Sequence, residues 1–139
     1  MTFALHIMVT LGFSNSGRHS DDLEPTMTIF DTRTTASDPL LQDLVRRLVD
    51  AYHPERIYLF GSRARGSARL ESDYDFLVVV SNNSPDELKS AGKAYEALWG
   101  VTVPVDVVVW TQEEFDKRLH IRTSLPAEVS REGMLVHVA

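Results

Sequence analysis

The sequence predicts an α/β domain in which helices flank a small mixed β-sheet. Three observations predict it. Apolar runs rich in strand formers occur at 57–60, 74–80 and 103–110. Segments with apolar residues at helical spacing lie before and between them. Several of those segments open on a capping residue followed by Pro or Glu, so strands and helices interleave along the chain.

The elements follow in order. Asp38-Pro39 opens a helix: a capping side chain, then Pro at the first helical position. Leu40, Leu41, Leu44, Val45, Leu48, Val49 and Tyr52 recur on one face, and the helix ends before Pro54. The run at 57–60 is a buried strand, and Gly61-Ser62 turns out of it. A short helix is expected over 62–68. The run at 74–80 is too continuously apolar to have a wet face, so it reads as a strand covered on both sides. Ser84-Pro85-Asp86-Glu87 has the form of a capping box and predicts a helix through Trp99. A third strand is expected over 103–110, with Pro104 near its start. Thr111-Gln112-Glu113-Glu114 is a second capping box, for a helix to about Leu119. A last helix is expected over 124–132, stopped by Gly133, and then a strand over 134–138 at a sheet edge.

The 139 residues suit one domain. Residues 1–35 read as a flexible extension, with Met27 a candidate natural start, and 36–139 as the folded domain. The apolar stretch 3–13 has no preceding Lys or Arg and no small-residue cleavage site, so it is a poor signal peptide. No run reaches the roughly 20 apolar residues a membrane helix needs, and a cytoplasmic protein is expected. The net charge of −6 argues against direct nucleic-acid binding, which wants a basic footprint. The absence of cysteine excludes disulfides, thiolate chemistry and Cys-based zinc sites.

The chemistry concentrates between Gly61 and Asp106. Gly61-Ser62 is followed, after a ten-residue spacer, by Asp73-Tyr74-Asp75 at the start of an apolar strand. Alternate residues of a strand share a face, so Asp73 and Asp75 project together. Asp106 is a lone acid inside the third strand, where a carboxylate is costly unless paired. With the two strands adjacent, three carboxylates converge and repel one another, and divalent cations supply the counter-charge. Hard oxygen ligands without His or Cys favour Mg²⁺ or Mn²⁺. Two such ions activate an attacking hydroxyl and stabilise a leaving oxygen in phosphoryl or nucleotidyl transfer. Gly61 lets backbone approach a ligand, and Ser62 with the following amides suits a phosphate. Arg63, Arg65 and Arg69 are placed to neutralise a triphosphate.

Competing readings are weaker. Asp-x-Asp alone is a common solvated turn, and a lone strand acid is often a satisfied core acid; it is their combination, each beside a strand, that points to a site. Gly61 and Gly66 have the separation of a Walker phosphate loop, but Ser67 stands where its Lys belongs. The five histidines are scattered, none at metal-ligand spacing with another. Trp99 and Trp110 read as core anchors, and Tyr74 as a spacer that lines the mouth of the site at most.

Gly61-Ser62, ten residues, then Asp73-Tyr74-Asp75 resembles the signature of the nucleotidyltransferase superfamily that includes DNA polymerase beta. The resemblance covers roughly residues 39–138, and the tight length is similar to the minimal, MNT-type members. It implies a small mixed sheet flanked by helices. It implies two Mg²⁺ ions on Asp73 and Asp75 with Asp106 as third carboxylate, Asp106 helping to activate the acceptor hydroxyl. It implies Ser62, with Gly61, Arg63 and Arg65, at the phosphates of a nucleoside triphosphate, ATP being the expected donor. It further implies a HEPN-type toxin as partner, with AMP passed to a tyrosine of that toxin and the chain acting as antitoxin. A non-catalytic module that neutralises its partner sterically, and a transferase acting on a small alcohol such as an aminoglycoside, are the alternatives.

Overall fold

The computed structural model describes residues 3–7, 38–65 and 73–139, with backbone alone for 3–7 and Arg65. Five strands form one mixed sheet: β1 (Phe3–Ile7), β2 (Arg56–Phe60), β3 (Tyr74–Val80), β4 (Val105–Thr111) and β5 (Met134–Val138). Their order across the sheet is β1-β4-β3-β2-β5. The central pair β3–β4 is parallel, and the other three pairs are antiparallel. The helices are α1 (Pro39–Tyr52), α2 (Ser62–Arg65), α3 (Gly92–Ala97), α4 (Gln112–Arg118) and α5 (Leu125–Glu132), with a 3₁₀ turn at Asp86–Lys89. The α/β architecture with a small mixed sheet is the expected one. Residues 3–7, expected to belong to a flexible extension, instead form an edge strand on β4. Positions 8–37 of the expected extension, and the end of the helix expected over 62–68, lie outside the described residues.

Side-chain alternation divides the core in two. On the first face Ile57, Leu59, Phe76, Val78, Val80, Val105, Val107 and Val109 pack against Leu41, Leu44, Leu48 and Tyr52 of α1 and against Ala94 of α3. On the second face Tyr58, Leu77, Val79 and Trp110 meet Phe115 of α4 and Val129 of α5. Burial from Phe76 to Val80 without a break confirms that β3 is covered on both sides. Arg56 ties β2 to α4: its guanidinium donates to the Tyr58 hydroxyl at 2.8 Å and to Gln112 Oε1 at 2.7 Å, 4.8 Å from the Phe115 ring centre.

Helix ends follow their side chains. Asp38 caps α1, its carboxylate accepting from the Leu41 N–H at 3.0 Å. The Thr111–Glu114 capping box of α4 is complete in both directions. Ser124 caps α5. Gly133 ends α5 with φ −82°, so no left-handed turn is involved. Its missing Cβ matters instead because one would stand 2.6 Å from the Val129 carbonyl oxygen.

Two expectations are corrected. The helix expected over 84–99 is broken, and Ser84 caps nothing. Ser90 is extended between the 3₁₀ turn and α3. The cause is tertiary: the buried Tyr52 hydroxyl donates to the Ser90 carbonyl at 2.6 Å and accepts from the Ala94 N–H at 2.9 Å. It thereby replaces the bonds a continuous helix would make. Burial pushes the Tyr52 hydroxyl up to about 12, so it remains a donor at any physiological pH. Trp99 is no core anchor: it is 72% exposed, edge-on to Tyr95 at 6.0 Å, with its carbonyl held by Arg47 at 3.3 Å. Trp110 is buried as expected.

Tyr52→Phe removes both bonds: the Ser90 carbonyl loses this donor, and the Ala94 N–H is left with the Ala91 carbonyl alone, at 3.0 Å. The expected loss is about 1–3 kcal/mol. Urea denaturation should show a lower midpoint at unchanged slope; an unchanged midpoint would show that the hydroxyl does not hold α3.

Candidate active site

The carboxylates meet because of the β3–β4 register. Asp75 lies opposite Asp106, and Phe60 of β2 lies opposite Asp75 on the other side. Counting back by twos from Leu77 and Val79 puts Asp75 and Asp73 on the second face, and Val108 and Trp110 put Asp106 there too. Asp73 stands just before β3, where the Tyr74 N–H donates to the Pro104 carbonyl at 3.1 Å. One carboxylate oxygen from each of Asp73, Asp75 and Asp106 lies within 4.8 Å of the others, and all three residues are half-buried. Each also engages other groups of the chain.

This donor set fits a divalent cation. Oxygens on opposite sides of an octahedral Mg²⁺ stand about 4 Å apart, inside the 4.8 Å that bounds the three carboxylate oxygens. Half-exposure lets solvent fill the remaining positions, as Mg²⁺ requires. The grouping is entirely carboxylate, matching hard cations rather than zinc.

Gly61 occupies the turn between β2 and α2 with φ +78°. A Cβ there would overlap the Asp75 carboxylate, whose Cγ would be 3.2 Å away. The glycine is therefore needed twice: for the left-handed backbone and for the space Asp75 fills. Ser62 begins α2 immediately afterwards, and the Ala64 N–H returns to the Gly61 carbonyl at 3.1 Å. The small-residue turn expected at the phosphates thus abuts the carboxylates. Arg63 places its guanidinium 4.0 Å from the ring centre of Tyr74. Arg65 ends α2, its side chain outside the described residues, as is all of Arg69.

Sequence reasoning undervalued Tyr74. It is 2% exposed and belongs to the first face, so it does not line a mouth on the carboxylate side. Its hydroxyl donates to Asp38 Oδ2 at 3.0 Å, the same carboxylate that caps α1. Burial first, and then the Asp38 charge, hold this phenol far above its ordinary range, against the opposing effect of Arg63. The only sequence signal was its place between two aspartates on an alternating strand, which forces it to the opposite face.

The turn and the triad fall within the span of a known domain. A family model for the nucleotidyltransferase domain matches residues 41–128, well over half of the chain. The chain belongs to the nucleotidyltransferase domain family. No curated protein and no solved structure matches it. As a nucleotidyltransferase it carries an acidic triad able to hold metal and a glycine turn against that triad. No described helix is long and apolar enough to cross a membrane.

Metal that binds only the folded state should raise the melting temperature. At about 100 times its dissociation constant, the gain is about 2.7 kcal/mol. Mn²⁺ or Mg²⁺ should therefore shift the thermal transition of the wild type but not of Asp75→Asn. An equal shift in both would place the ion elsewhere. Gly61→Ala should cost about 1–2 kcal/mol in backbone strain and weaken Mn²⁺ binding about tenfold by displacing Asp75; an unchanged Mn²⁺ titration would show that the turn does not set the carboxylate.

Proposed function

We propose that the protein is a Mg²⁺-dependent protein adenylyltransferase that passes AMP from ATP to a tyrosine hydroxyl of a HEPN-type partner toxin, and so acts as its antitoxin. The observation that carries the reading is the convergence of Asp73, Asp75 and Asp106 beside the Gly61-Ser62 turn. Membership of the nucleotidyltransferase family supports the reaction class. The resemblance of Gly61-Ser62 and Asp73-Tyr74-Asp75 to the minimal, MNT-type members supports the acceptor and partner.

Asp73 and Asp75, on one strand, and Asp106, on its neighbour, are the residues to hold two Mg²⁺ ions. Bound there, the ions supply charge neutralisation and Lewis acidity for an in-line displacement at the α-phosphorus. The acceptor oxygen forms the new P–O bond as the bond to pyrophosphate breaks. Asp106 serves as the acceptor hydroxyl's proton-side partner, at the edge of the triad nearest β1. Ser62 and the turn amides receive the terminal phosphates, which the open backbone of Gly61 lets approach. The triad is half-exposed, which leaves it accessible to an acceptor carried by a partner.

Intact-mass spectrometry of the partner, after incubation with the chain, Mg²⁺ and each nucleoside triphosphate in turn, tests the proposal. A gain of one or more AMP units with ATP, absent with Asp73→Ala or Asp75→Ala, is expected. Transfer that survives either substitution would remove the triad from the mechanism. A stable, protective complex without mass gain would favour steric neutralisation instead, and modification of an aminoglycoside-like alcohol would favour a small-molecule acceptor.

A further inference from the structure

The two halves of the site stand on different supports. Asp73 and Asp75 are carried by the start of β3, whose residues from Phe76 on are buried without interruption, and Asp106 by the neighbouring β4. The Gly61-Ser62 turn rides on α2, a helix of only four residues. One helical turn does not hold itself in water, because nucleation fixes several residues for a single hydrogen bond. Something outside α2 has to hold it. Ala64 packs on the first core, a small contact. A second contact is Arg63, whose guanidinium lies 4.0 Å from the centre of the Tyr74 ring.

Tyr74 is itself fixed at several points. Its N–H is bonded to Pro104 at 3.1 Å. Its hydroxyl is bonded to Asp38 at 3.0 Å, and its ring stacks on Phe76 at 6.4 Å. It is also the residue between Asp73 and Asp75. Any displacement of the Tyr74 backbone moves both carboxylates.

We propose that Arg63 and Tyr74 form a positioning clamp, in which the guanidinium laid on the phenol ring locks the Gly61-Ser62 turn to the strand segment that carries Asp73 and Asp75. The clamp grips the Tyr74 ring, which lies on the face opposite the carboxylates, and so acts on their geometry through the strand. It rests on the reading of the triad as a metal site. It gives Arg63 a role other than direct contact with a triphosphate, and it makes Tyr74 a positioning residue rather than a spacer. The link to the metal runs through Gly61: the Asp75 carboxylate fills the space beside it, so a shifted turn shifts Asp75.

The two roles for Arg63 predict opposite signs for metal binding in the absence of nucleotide. Removing a cation near three carboxylates tightens metal binding if charge alone matters. Removing a clamp weakens it. Free Mn²⁺ is measured by electron paramagnetic resonance in titrations of the wild type, Arg63→Met, Tyr74→Leu and the double variant, without nucleotide. The clamp predicts that each single variant binds Mn²⁺ at least about threefold more weakly, and that the double variant is no weaker than the worse single one. Tyr74→Phe keeps the ring and should stay within about twofold of wild type while melting earlier. Unchanged or tighter Mn²⁺ binding by Arg63→Met overturns the clamp, as do fully additive losses. Should Tyr74→Leu fail to fold, Arg63→Met and Tyr74→Phe still decide by the same signs. A wild type that binds no Mn²⁺ overturns the metal-site reading and the clamp together. One that binds Mn²⁺ yet modifies no acceptor overturns only the proposed transfer.

Discussion

Everything the site can do depends on one register, the parallel pairing that sets Asp75 opposite Asp106. A slip of one residue would carry Asp106 to the other face and break the triad. In a strand with one wet face, hydrophobic patterning resists such a slip. Here it gives little help, because β3 and β4 are rich in valine and β3 is buried on both sides. The register is pinned where the strands begin. Tyr74 donates its N–H to Pro104, and Pro104, with no N–H of its own, cannot extend the ladder backwards. The hydroxyl of the same tyrosine is bound to the Asp38 carboxylate at the start of α1. The large side chains Phe76 and Trp110 then fit only their own places in the two cores.

Placing three carboxylates together opposes folding, and their position limits that cost. They stand at the end of the central pair, half-exposed, where water screens them. The same group four residues further along β3 would sit among fully buried valines, where an unpaired charge is prohibitive. The sheet thus keeps the unfavourable electrostatics at its rim and the burial at its centre.

Much of this was legible in the sequence. Asp73, Asp75 and Asp106 could be grouped because strand alternation and adjacency are simple geometric rules, and Gly61-Ser62 marked the turn beside them. The capping residues Asp38 and Thr111 gave correct helix starts, since a cap is a local interaction. What escaped was non-local. Ser84-Pro85-Asp86-Glu87 has the form of a cap, yet the buried hydroxyl of Tyr52, more than thirty residues earlier, breaks the helix at Ser90. Trp99 looked like core because tryptophan usually is, but Arg47 anchors its backbone with the indole turned outward. The strand Phe3–Ile7 was hidden by the polar stretch that follows it, which argued for a tail. Gly133 had the place of a left-handed cap, while the real constraint was the Val129 carbonyl against it.

The two faces of the sheet divide the work. The first carries the larger core, built with α1 and α3. The second carries the smaller one, built with α4 and α5, and the carboxylates at its end. Stability and chemistry can therefore vary almost independently, except where one residue belongs to both. Tyr74 is that residue. Its side chain lies in the first core, bound to the Asp38 cap and covered by Arg63, while its two chain neighbours are carboxylates of the triad. Strand alternation makes this unavoidable: two ligands one residue apart must enclose a residue that faces the other way. A small or polar residue there would leave the ligands on a loosely held strand end. A large aromatic with a hydroxyl fills the core and finds a half-buried acceptor in Asp38, and its ring offers a platform to the turn beside the triad. The spacing that brings two carboxylates together thus also creates the position from which they can be held rigid.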